Sequence, residues 1–97
     1  MVQTIGTYLI LAGKKKLILE KSHVLSRIFL GIRVLASPQA WAESRISFDD
    51  PMFHSYYILA GALKYFEARG EGIFQGDVWV FNNTTGDLSY TLTEILV

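Results

Sequence analysis

Asp50-Pro51-Met52-Phe53-His54-Ser55-Tyr56-Tyr57-Ile58-Leu59-Ala60-Gly61-Ala62-Leu63-Lys64-Tyr65-Phe66-Glu67-Ala68-Arg69-Gly70 is the stretch whose reading decides the fold class. Asp50 can accept the free amides of a first helical turn, and Pro51 suits the first helical position, where its missing N–H is no loss. Met52, Phe53, Tyr56, Leu59, Ala60, Leu63 and Phe66 recur at spacings of three and four, and Gly70 stands as a C-terminal cap. The spacing predicts a helix over 51–69. Tyr57, Ile58 and Tyr65 fall off that stripe, so the helix is apolar on more than one side and calls for a second contact, within the chain or from another copy.

Working outward, Val24, Leu25, Ile28, Phe29, Ile32 and Leu35 also repeat at three and four, with Ser22 as N-cap and Pro38 as terminator, which predicts a helix over 22–36. A helix through 17–35 is the competing reading. Trp41 is expected on a short helical turn between Pro38 and Arg45. Upstream, Thr4 to Ala12 and Leu17 to Lys21 are short runs rich in Ile, Leu, Thr and Tyr around Gly13 and three lysines, and predict a β-hairpin. Downstream, Val78 and Val80 alternate with Trp79 and Phe81, and Leu88, Tyr90 and Leu92 with Ser89, Thr91 and Thr93, around the turn formers Asn82-Asn83-Thr84-Thr85-Gly86-Asp87. That pattern predicts a second hairpin.

The segment Gly76 to Leu88 resembles the strand, Thr-Gly turn, strand hairpin of many small α+β domains, bacterial immunity-type proteins among them. The resemblance covers about an eighth of the chain and implies no functional residue. The expected architecture is a single α+β domain over 1–97, with two helices on an antiparallel sheet made of an N-terminal and a C-terminal hairpin. One internal similarity stands out, Tyr8-Leu9-Ile10-Leu11-Ala12-Gly13 against Tyr56-Tyr57-Ile58-Leu59-Ala60-Gly61. In a chain this rich in Ile, Leu and Ala it reads as coincidence, strand in one place and helix in the other.

Composition limits function. Apolar residues make up 51% of the 97 and charged ones 19%, with mean hydropathy +0.28. A globular domain usually carries about 25% charge, so apolar surface is expected to remain for a partner. Cysteine is absent, which removes disulfides, thiolate ligands and thiol nucleophiles. The apolar runs 8–13 and 24–36 fall short of the roughly 20 residues a membrane helix needs, and Arg27 and Arg33 interrupt the second. Lys14 to Lys16, Ile28 to Ala36 and Ala40-Trp41-Ala42 imitate the order of a signal peptide, but Glu20 and the arginines break it. A cytoplasmic location is therefore expected, and the sequons at Asn82 and Asn83 lose their meaning.

Neither histidine, His23 or His54, sits at a ligand spacing, so no metal or other cofactor is expected. The serines fit no nucleophile motif, and no glycine pattern fits a phosphate loop. No catalytic residue is assigned. The charges are sorted: residues 1–45 hold seven Lys or Arg against two acids, and residues 46–97 hold two against seven. Such sorting steers association. The leading reading is a non-catalytic interaction or regulatory protein, self-associating or bound to a protein partner, with Tyr57, Ile58, Tyr65, Trp79 and Phe81 as its apolar contact. Lys14, Lys15, Lys16, Lys21, Arg27 and Arg33 would meet an anionic or acidic partner; as a solvated turn, the lysines would instead guard a sheet edge. Two rivals are a small-molecule or enzyme cleft around His54, Tyr56, Tyr57 and Trp79, and a nucleic-acid surface on the basic half.

Overall fold

The computed structural model describes residues 1–35, 43–52, 54–59, 61–67 and 75–97, the side chain of residue 43 excepted. Among these there is no α-helix. Eight strands form two four-stranded antiparallel sheets: β1 (Val2–Ile10), β8 (Leu88–Leu96), β3 (Arg27–Val34) and β6 (Leu63–Glu67) in the first, and β2 (Lys15–Leu19), β7 (Val78–Asn82), β4 (Glu43–Ser47) and β5 (Ser55–Leu59) in the second, each in that spatial order. The pairs β1·β8, β2·β7, β3·β6 and β4·β5 nest inside one another. The chain is thus one long antiparallel ribbon doubled back at the β4–β5 bend and rolled up so that alternate pairs fall in opposite sheets. β3·β8 and β4·β7 then close each sheet. This is the jelly-roll arrangement, two sheets over a shared core.

The α+β expectation is overturned. The predicted helix over 51–69 is two strands, β5 and β6, and they belong to different sheets. Tyr56 and Ile58 face inward with Phe66, whereas Tyr57, Leu63 and Tyr65 face outward, so the apparent helical stripe is two strands' inward and outward residues seen together. Gly61 adopts φ +75° at the crossing, its N–H bonded to the Val34 carbonyl at 3.0 Å, a conformation that glycine adopts at little steric cost. The predicted cap pair Arg69-Gly70 lies outside the described residues, as do Phe53 and Ala60.

The predicted helix over 22–36 is a bend followed by β3. Ser22 Oγ accepts from the amides of Val24 and Leu25, at 3.3 and 3.0 Å, as a cap would. The chain then enters the sheet, leaving Val24 in water and burying Leu30, Ile32 and Val34. β3 is central, between β8 and β6, and its inward Leu30, Ile32 and Val34 alternate with outward Phe29, Gly31 and Arg33, a sequence too apolar to show the period of two. The turn around Trp41 lies largely outside the described residues; Arg45, at its end, is in β4.

Neither predicted hairpin exists as a pair. Residues 2–10 and 15–19 are strands, as are 78–82 and 88–96, but each couple is split between the sheets. Period two identifies a strand's faces and says nothing of its neighbour. At the second corner Asn82 is wholly buried and fully bonded: its Nδ2 donates to Ile10 O and Gly86 O, both at 2.9 Å, and its Oδ1 accepts from Thr84 N and Thr84 Oγ1. The turn formers therefore build a locked crossing between sheets.

One core spans both layers. Ile10, Leu30, Ile32, Val34, Leu88, Tyr90 and Leu92 from one sheet meet Ile46, Ile58, Val78 and Val80 from the other, together with Phe48 just past β4. Tyr90 Oη and Ser44 Oγ, 2.6 Å apart, share a hydrogen bond across the gap, and burial pushes the Tyr90 phenol up against the opposing effect of that bond. Toward the β5–β6 side, Phe48, Tyr56 and Phe66 pack edge to face, a geometry the ring quadrupoles favour.

Candidate functional site

The chemistry-bearing residues lie on the outer surfaces of the sandwich. On the second sheet, register places Lys15, Phe81, Arg45 and Tyr57 in one row across four strands. Arg45 lies 5.2 Å from the centre of the Phe81 ring, and Lys15 Nζ 4.9 Å from that of Trp79, so both half-buried aromatics are topped by cations. Lys15 also pairs with Asp50. Tyr57, 62% exposed, ends the row uncovered.

On the first sheet the outward positions are Gln3, Ile5, Thr7 and Leu9 of β1, Ser89, Thr91, Thr93 and Ile95 of β8, Phe29, Gly31 and Arg33 of β3, and Leu63, Tyr65 and Glu67 of β6. Tyr65, 58% exposed, stacks on Phe29 with centroids 6.4 Å apart and planes within 15°. Gly31 makes that possible: a Cβ there would stand 3.1 Å from Phe29 Cε1.

The five residues expected to form one apolar contact are thus dispersed. Tyr57, Trp79 and Phe81 share the outer face of the second sheet, Tyr65 lies on the opposite face of the molecule, and Ile58, 1% exposed, is in the core. The basic group is dispersed as well. Lys15 and Lys16 sit on edge strand β2, Lys14 on the turn before it, and Arg33 on the outer face of the other sheet. The Lys21 amide donates to Asp77 Oδ1. Arg27, 2% exposed, cannot meet a partner: its Nε donates to Glu94 Oε2 at 2.8 Å and its Nη1 to the Gly76 carbonyl, inside the domain.

The expected cleft is not assembled. Tyr56 and Tyr57 are neighbours on one strand and point to opposite faces, Trp79 is two strands away, and His54 is an exposed loop residue. His54 Nδ1 lies 3.0 Å from Asp49 Oδ2, and Asp49 Oδ1 accepts from Ser47 Oγ. The Ser47 bond first, then the contacts with His54, holds the Asp49 carboxyl below its ordinary value. The residue types are those of a hydrolase triad in the wrong order. A nucleophilic serine must give its proton to the imidazole, whereas here the carboxylate stands between the two and Ser47 is fully buried. Among the described residues no group of three or more His, Asp or Glu could hold a metal ion, and no helix is long and apolar enough to cross a membrane.

Sequence reading missed Ile5, Leu9, Leu59 and Leu63, all more than half exposed. Their only signal was the high apolar content. No family model and no curated protein matches the chain. A solved structure described as "Bacillus endospore appendages form a novel family of disulfide-linked pili" superposes with a TM-score of 0.51 and 15% identity, over 99% of this chain and 88% of that one. That likeness shows the fold.

Proposed function

We propose that this chain is a non-catalytic building module that assembles with copies of itself through the outer surface of its sandwich. One observation carries the reading. Antiparallel sheets of a lone sandwich usually bury one face and present a polar one, yet here Ile5, Leu9, Leu63 and Tyr65 on one sheet and Tyr57 and Leu59 on the other are all more than half exposed. Large apolar groups concentrated at outward positions mark surfaces that another molecule covers. The likeness to a pilus structure supports the same reading. Because this chain contains no cysteine, its assembly rests on non-covalent contacts, and the disulfide linkage named for that pilus has no counterpart in it.

Sedimentation velocity across the micromolar range tests this. The expected outcome is a weight-average mass that rises with concentration. A constant monomer mass throughout would sink the proposal.

A further inference from the structure

Resting on that reading's self-assembly, and adding a contact distinct from the outer faces, we propose that the free edge of β1 is a seam that pairs with β1 of a second copy. A sheet edge presents unpaired N–H and C=O groups, and natural proteins guard such edges with charges, bulges or short strands. The sandwich has four edges, β1 and β6 on one sheet and β2 and β5 on the other. Three are guarded or short: β2 carries Lys15 and Lys16 and breaks register between Leu17 and Leu19, β6 carries Lys64 and Glu67 within five residues, and β5 has only five residues. β1 runs nine residues, Val-Gln-Thr-Ile-Gly-Thr-Tyr-Leu-Ile, with no charge and no proline, and pairs with β8 without a register break.

The peptide groups it offers can be identified. Leu35 N donates to Ser89 O, and Ser26 and Val97 exchange both their bonds, so the odd residues of β8 turn toward β3 and the even ones toward β1. Tyr90 faces Tyr8, and Leu92 faces Gly6, so the even residues of β1 are bonded to β8. Gln3, Ile5, Thr7 and Leu9 are left pointing their peptide groups outward, and among the described residues nothing bonds them.

A strand is the complement of such an edge, and β1 of a second copy is the strand that fits. An antiparallel pair related by a two-fold axis at Gly6 sets Ile5 against Thr7 and Gln3 against Leu9. Every outward peptide group then meets a partner, inward and outward faces continue across the seam, and two uncharged strands meet without a like-charge contact. Edge β2 or β6 of a second copy would instead bring lysines to the seam. Gly6 needs no bulge to explain it: its missing Cβ leaves room for the inward Tyr8 ring, whose Oη would lie 2.9 Å away.

The test is sedimentation equilibrium on the full chain with two double variants at exposed, outward positions, their folding checked by thermal melts. I5K/T7K sets lysine against lysine across the seam and is expected to weaken association about tenfold or more. I5K/T7E sets lysine against glutamate and is expected to restore it. If I5K/T7K associates as tightly as the wild type, the seam is overturned while assembly through another face stands. If both variants are folded monomers, the two-fold register is overturned, and a monomeric wild type would overturn both readings.

Discussion

The Asn82 amide donates to the Ile10 carbonyl at 2.9 Å, tying the last residue of β7 to the last of β1 across the two sheets. Because the same side chain also holds Gly86 and Thr84, four polar groups are satisfied at one corner. Asn82→Ala removes all four of these bonds at a buried corner, and a loss of about 3 kcal/mol is expected from them. Asn82→Asp should be worse, since it sets an oxygen against two carbonyls where the amide nitrogen donated. Urea unfolding of both variants checks the order. An aspartate variant as stable as wild type would show that the corner does not lock the sandwich.

Arg27 and Glu94 form the buried ion pair of the first sheet, both side chains more than nine-tenths covered. Removing one partner leaves the other charged and desolvated, so Arg27→Met or Glu94→Leu alone is expected to lose about 3–5 kcal/mol. Replacing both removes the desolvation penalty together with the attraction, and the double variant should recover much of that loss. Additive losses in the cycle would mean that the two residues act independently.

How much of this was legible in the chain follows from which physical signals are local. Strand character was readable in part, because period two and β-branched composition act within a segment: the expected runs 4–12 and 17–21 overlap strands at 2–10 and 15–19, with a helix competing for 17–21, and the alternation over 78–81 and 88–93 lies within strands at 78–82 and 88–96. The capping chemistry of Ser22 was readable too, although a bend uses it as well as a helix does. What misled was the outward surface. A strand with polar outward residues shows its alternation, but Tyr56, Tyr57, Ile58 and Leu59 are all apolar, and a continuous apolar run fits a helical stripe equally well. The repeated Tyr-x-Ile-Leu-Ala-Gly carried the correction. Ile10 and Ile58 are both core residues, and Gly13 and Gly61 both take positive φ, at 69° and 75°. The repeat marks one local design used twice, a strand followed by a left-handed glycine. Strand partners were not legible at all, since nested pairs such as Tyr8 with Tyr90 lie far apart in sequence. The candidate surface was half legible: Tyr57 and Tyr65 are exposed as expected, but on opposite faces.

Gly31 and Phe29 should behave as a coupled pair. Alanine in a strand is favoured over glycine by about 0.5–1 kcal/mol through the unfolded chain, but at position 31 its Cβ pushes Phe29 from its stack on Tyr65, a contact of about 0.5–1.5 kcal/mol. Gly31→Ala is therefore expected to be neutral or mildly destabilising in the wild type. In a Phe29→Ala background it should stabilise by the full backbone gain. Thermal melts of the four proteins give the coupling, and a cycle that closes to zero would show that Phe29 does not exploit the missing side chain.

Stability should fall at both ends of the pH scale, through different groups. The Asp49 carboxyl is held below its ordinary value of 3.8 by Ser47 first and His54 second. A depressed acid stabilises the fold above its unfolded pKa, and that contribution drains away as pH falls below about 4 through the lower folded value. Tyr90 works in the opposite sense. Burial raises its phenol above 10.0, with the Ser44 bond opposing, so its contribution is whole below about pH 10 and is lost as pH climbs from there toward the folded value. Melting temperature against pH should therefore show an acid limb that flattens in Ser47→Ala and Asp49→Asn, and an alkaline limb that flattens in Tyr90→Phe, each without moving the other. If Asp49→Asn left the acid limb as steep as in the wild type, the Ser47–Asp49–His54 chain would be an accident of the loop rather than the group that titrates there.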